Sequence, residues 1–133
     1  MAISKVKNKT KAKKENKVIP AIGNVYVFSG MNNTIVSICD EKGNSLFNGS
    51  SGMYGFKGSR KSTPYAATKI AEEIGTKAFN SGLREVNIFV KGIGNGRISA
   101  IKALKVAGLK VLSITDRTPL PHNGCRPSKR RRM

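Results

Sequence analysis

Residues 86–114 read VNIFVKGIGNGRISAIKALKVAGLKVLSI, and this passage decides the fold. Val86–Val90 is a nearly continuous apolar run, the pattern of a strand buried on both faces. Lys91 to Arg97, KGIGNGR, is a glycine-punctuated turn. From Arg97 to about Ala107, Ala100, Ile101, Leu104 and Ala107 recur at the spacing of one helix face, and Gly108 stops the run. Leu109–Ile114 is strand-like again. A strand, a helix and a strand joined by short turns form a βαβ unit, and its crossover is expected to be right-handed.

Upstream lies the clearest helix signal. Thr63 is a good N-cap and Pro64 suits the first helical position. Ala67, Ile70, Ala71, Ile74 and Ala78 form one apolar face, with Lys69, Glu72, Glu73 and Lys77 off it and Gly82 as a left-handed stop. Earlier still, Asn24–Ser29 and Thr34–Cys39 alternate as strands, and a third strand starts at Ser45–Phe47. Glycine and asparagine turns between them predict an antiparallel meander. In the first strand Val25 and Val27 face away from Tyr26 and Phe28. The whole is predicted to be a mixed sheet with helices packed on it.

Between meander and helix, residues 48–61 read NGSSGMYGFKGSRK. Lys57, Arg60 and Lys61 are interleaved with Tyr54 and Phe56 among four glycines. Basic residues beside aromatics suit a ribose–phosphate chain with exposed bases. An ordinary surface loop with its two aromatics tucked into the core fits the same pattern.

Charge narrows the partner. The 133 residues carry a net charge of +18. Residues 1–17 hold seven Lys and one Glu, and residues 117–133 hold six Lys/Arg and no acid. Each tail therefore has the same net charge, +6, as the much longer middle. Such density repels itself unless a polyanion neutralises it. The arm 1–17 shows no apolar stripe and reads as disordered and basic, around a globular domain at 18–116. The tail, RTPLPHNGCRPSKRRRM, contains Pro119, Pro121 and Pro127, which oppose helix and central strand alike. An extended chain ending in Arg126, Lys129, Arg130, Arg131 and Arg132 suits docking along nucleic acid. An anionic membrane surface is second, but it needs an amphipathic or lipidated anchor, and none is visible. There is no transmembrane run. Cys39 and Cys125 are far apart and unpaired by motif, so neither zinc nor a disulfide framework is indicated.

Catalytic and cofactor signals are weak. The loop after Val90 is G-x-G-x-G, one residue short of the G-x-G-x-x-G dinucleotide fingerprint. Its glycine amides at a helix start, with Lys91 and Arg97 alongside, read as a phosphate site, or as a tight turn that needs glycine for geometry alone. His122 and Cys125 lack further ligands for a metal. Asp40 and Glu41 sit in a turn, Glu72 and Glu73 on a solvated helix face, and Asp116 stands alone. No cofactor is expected and no enzyme. A free RNA-binding module and a nuclease built on carboxylates brought together in space are the alternatives.

The segments MNNTIVSICDEKGN, GFKGSRKSTPYAA, VKGIGNGRISAIKAL and TDRTPLPHNGCRPSKRRR together resemble the universal small-subunit ribosomal protein family eleven, in its bacterial and organellar branch. The resemblance runs from about Asn24 to Arg132. It departs at Asn48-Gly49, where the family usually has Trp-Ser, and at Ile93, where it usually has proline. The resemblance implies a ribonuclease-H-like, three-layer α/β fold with a five-stranded mixed sheet and flanking helices, and no catalysis. It implies binding to small-subunit rRNA on the platform near the mRNA exit side, in support of translation. Implied protein partners are the platform families seven, eighteen and twenty-one, with mRNA as a further candidate contact; no membrane and no homo-oligomer are implied. The implied setting is a cytoplasmic ribosome, with an organellar ribosome as the variant. The RNA-facing positions are expected to be Asn32, Asn33, Lys57, Arg60, Lys61, Lys91, Arg97, Arg117, His122, Asn123, Arg126, Lys129, Arg130, Arg131 and Arg132.

Overall fold

The computed structural model describes residues 19–132. The basic arm predicted at 1–17 and the terminal Met133 lie outside the described residues. Five strands and two α-helices follow the order β1 (Ile22–Ser29), β2 (Thr34–Cys39), β3 (Ser45–Ser50), α1 (Pro64–Ser81), β4 (Glu85–Lys91), α2 (Arg97–Val106) and β5 (Lys110–Asp116). The sheet order is β3-β2-β1-β4-β5. β2 is antiparallel to both β1 and β3, whereas β1, β4 and β5 are mutually parallel. The predicted meander and βαβ unit are both present.

The helix signals act as read. The Thr63 side chain accepts from the Ala66 N–H, Pro64 opens α1, and Gly82 closes it at φ 115. The face of α1 toward the sheet is Ala66, Ala67, Ile70, Ala71, Ile74 and Ala78, all buried. Small residues let the helices approach closely: a Cβ on Gly75 would sit 2.8 Å from the Ala107 Cβ. Val25, Val27, Val36, Ile38, Val86, Ile88 and Val90 supply the sheet side of the core.

Two expectations need correction. Both helices lie on one face of the sheet, so the layering is two-deep rather than three. The connections from β3 to β4, through α1, and from β4 to β5, through α2, step across the sheet in the same direction. Right-handed crossovers taken in one direction put both helices on the same side. For the same reason β4 is not buried on both faces: Val86, Ile88 and Val90 are buried, but Asn87 and Phe89 are only half-buried on the other side.

Candidate nucleic-acid interface

The strand register gathers the candidate residues. Ser29 pairs with Thr34, Ile35 with Ser50, Phe28 with Lys91, and Val90 with Asp116. The ends of β1, β3, β4 and β5 and the start of β2 thus share one edge. From that edge project the 30–33 turn, the 51–62 segment, the 92–96 loop and the tail. Both helices also begin there: a Cβ on Gly96 would meet the Ala67 Cβ at 2.8 Å. Neither helix has an acid in its first turn, and the start of α2 has no side-chain cap. The positive ends of both helix dipoles therefore lie at this edge.

The opposite edge has another character. Among the described residues it carries Asp40, Glu41 and Glu85 beside Lys42, Arg84 and Lys110, so acids and bases balance there, and Glu85 lies 3.7 Å from the Lys110 ammonium. Asp40 is occupied within its turn, accepting from the Asn44 backbone N–H at 2.8 Å and side-chain amide at 3.0 Å. Those bonds hold its carboxyl below the usual range.

Around the cationic edge, Lys57 and Arg60 are exposed and Lys61 is half-buried. Two short 3-10 turns, Ser51–Tyr54 and Gly58–Ser62, shape that segment. The Ser51 hydroxyl donates to the Lys61 carbonyl at 2.7 Å and the Thr63 hydroxyl to the Arg60 carbonyl at 2.7 Å. Phe56 and Tyr65 meet edge to face, ring centres 6.0 Å apart, beside a cleft that Lys57 and Arg60 also line. Asn33 spends its side-chain oxygen inside the turn on the Thr34 N–H at 2.8 Å, while Asn32 is exposed.

The glycine loop is a correction. Its glycine amides are not free for phosphate. The Gly94 N–H donates to the Ser29 carbonyl at 2.8 Å, the Gly96 N–H to Ser29 Oγ at 3.2 Å, and the Gly92 N–H to Thr118 Oγ1 at 3.3 Å. Glycine is there for close approach: a Cβ on Gly92 or Gly94 would overlap the backbone of Ser29 and Gly30, and Gly92 adopts φ 102. Of the two readings that the sequence allowed, the geometric one holds for these amides.

Asp116, expected to stand alone, is also corrected. It forms an ion pair with Arg97 and accepts from the Thr118 hydroxyl at 2.6 Å and backbone N–H at 2.9 Å. Thr118, then Arg97, hold its carboxyl well below the ordinary carboxylate value, at about 2. A depressed folded-state value means that the stabilisation is complete above about pH 4 and is lost as pH falls toward 2. The Asp116 carboxyl resonance should titrate near 2. In Arg97→Ala it should move upward yet stay below 4, because both Thr118 donors remain; an unmoved midpoint would show that Arg97 contributes nothing.

Sequence reasoning also missed the latch that aims the tail. The Arg117 N–H donates to the Val90 carbonyl at 2.8 Å, its guanidinium lies 4.1 Å over the Phe89 ring, and Thr118 bonds to Gly92. Lys91, Arg97 and Arg117 thus lie at the same end of the sheet, Arg97 on its helix side beside Asp116 and Arg117 on its open side over Phe89. From Pro119 to Arg132 the tail is exposed and without helix or strand, so His122, Asn123, Arg126 and Lys129 to Arg132 project from the edge. Asn123 turns the chain at φ 54, the left-handed geometry that Asn tolerates. Among the described residues no group of three or more His, Cys, Asp or Glu could hold a metal. No helix there is long and apolar enough to cross a membrane.

A two-layer α/β body with a cationic edge and an extended basic tail has the charge distribution that a polyanion would neutralise. The family described as "Ribosomal protein S11" matches residues 23–132. "Small ribosomal subunit protein uS11" of Lawsonia intracellularis (strain PHE/MN1-00) is 52% identical over 121 residues, covering 91% of this chain and 93% of that protein. The chain belongs to the ribosomal protein S11 family and is a small-subunit ribosomal protein, a structural component rather than an enzyme.

Proposed function

We propose that the chain binds small-subunit rRNA on the platform, near the mRNA exit side, with its cationic edge against RNA. In this reading residues 18–116 are a rigid body, residues 117–133 a tail that lies between RNA helices, and residues 1–17 a second basic arm. Platform families seven, eighteen and twenty-one are its protein neighbours, mRNA is within reach, and the ribosome is the cytoplasmic one. One observation carries the proposal: the strand register puts Lys57, Arg60, Lys91, Arg117 and the tail on one edge, with Asp40, Glu41 and Glu85 on the other. Contacts to phosphate and 2′-OH position without reading sequence, so the isolated chain binds structured RNAs with little preference.

Gradient sedimentation of a lysate tests this. The chain should travel with the small subunit at low salt and leave it near 1 M salt, where the screening length is about 3 Å. A free RNA-binding module would stay near the top of the gradient at every salt concentration.

A further inference from the structure

We propose that the open face of the sheet is a stacking platform for unpaired RNA bases, centred on Tyr26, Phe28 and Phe89. The inference rests on the RNA-binding reading above and gives that RNA a second kind of contact, to bases rather than phosphates.

With both helices on the other face, alternate residues of β1, β2 and β4 look outward. The register sets them in rows. Phe28 stands between Ile35 and Lys91, and Tyr26 between Ser37 and Phe89. Tyr26 and Phe28 remain 38% and 43% exposed. The Tyr26 and Phe89 rings are stacked, centroids 5.3 Å apart and planes 21° from parallel. A flat cation, the Arg117 guanidinium, already lies on Phe89. Aromatic faces and guanidinium planes are the surfaces on which unpaired bases stack.

Charge selects the occupant. Lys91 and Arg117 rim the aromatic row on the side continuous with the cationic edge, where they can hold the phosphates that flank a stacked base. The next row outward is Asn24 and Asn87, with the Ser113 hydroxyl donating to Asn87 at 3.0 Å. Amides and hydroxyls there can bond base edges. Glu85, the carboxylate that β4 adds to this face, is at its far end and already paired with Lys110. An aromatic centre with a cationic rim and an amide border fits a polyanion with flat bases better than the aliphatic surface of a protein.

The chain has no tryptophan, so Phe28→Trp places a single reporter on this face. The full-length variant is titrated with an unstructured RNA of about 12 nucleotides, an RNA duplex of equal charge and inorganic polyphosphate. The single strand should quench the tryptophan strongly; the duplex and polyphosphate should bind, by anisotropy or competition, without quenching. In a second variant, Tyr26→Leu with Phe28→Leu keeps apolar area but removes two rings. Its affinity for the single strand should fall about tenfold or more while duplex affinity stays within about twofold. Absent quenching, equal quenching by polyphosphate, or undiminished single-strand binding by the leucine variant overturns the platform while the RNA-binding reading stands. If neither RNA form binds, that reading falls and the platform with it.

Discussion

Deleting residues 122–133 should make the plot of log affinity against log salt for small-subunit rRNA shallower by roughly 3.5 to 4.5, at 0.7 to 0.9 per phosphate contact. The deleted stretch contains Arg126, Lys129, Arg130, Arg131 and Arg132. If each neutralises one phosphate, each releases its share of counterions. Between 50 and 200 mM salt the full chain should therefore lose roughly 250-fold more affinity than the shortened one, taking a slope difference of about 4. The body should melt where it did before, because Arg117 and Thr118 make the bonds that tie the tail to it and both remain. An unchanged slope would mean that the tail stays in solvent.

The second large effect concerns the loop. Gly92→Ala meets two obstacles at once, a φ of 102 and the Ser29 carbonyl in the space the methyl would need. The obstacle is backbone within β1, which cannot swing aside as the end of a side chain can. Left-handed strain of about 1–2 kcal/mol and an overpacking cost of about 1–3 kcal/mol add to a loss of roughly 2–5 kcal/mol. Thermal or urea unfolding should show it. Gly55→Ala is the matched control: its φ is 84, but no atom stands within 4 Å of the added Cβ, so only the strain remains. Equal losses at the two positions would remove the argument that Gly92 serves close approach. Because Gly92 also bonds to Thr118, the loop variant should loosen the tail's exit direction as well.

Much of this was legible in the sequence because the signals are local. Thr63-Pro64 and Gly82 bound α1, and the alternation of Val25 and Val27 with Tyr26 and Phe28 shows which strand face is buried. Apolar Phe89 and half-buried Asn87 misled for a physical reason. A continuous apolar run reports the company of hydrophobic groups, but not whether a second layer of helices exists to cover them. That depends on crossover direction, a property of the whole topology. The Asp116–Arg97 pair and the Thr118–Gly92 latch join residues 19 and 26 positions apart across neighbouring elements. No spacing rule reaches them. The glycine loop was ambiguous for a related reason, since the same residue suits phosphate approach and backbone approach. What decided it was Ser29, which lies 65 positions from Gly94 in the chain.

The gathering of cations on one edge is the central claim, and lysine acetylation tests it most directly. Lys57, Lys91 and Lys129 lie on that edge or its tail, whereas Lys42 and Lys110 lie at the opposite edge, all five exposed. Acetylation rates would be measured by mass spectrometry in the free protein and in the assembled small subunit. The account predicts strong protection of Lys57, Lys91 and Lys129 in the subunit, with Lys42 and Lys110 reacting nearly as fast as in the free chain. Protection of Lys42 and Lys110 with Lys57, Lys91 and Lys129 left reactive would contradict it.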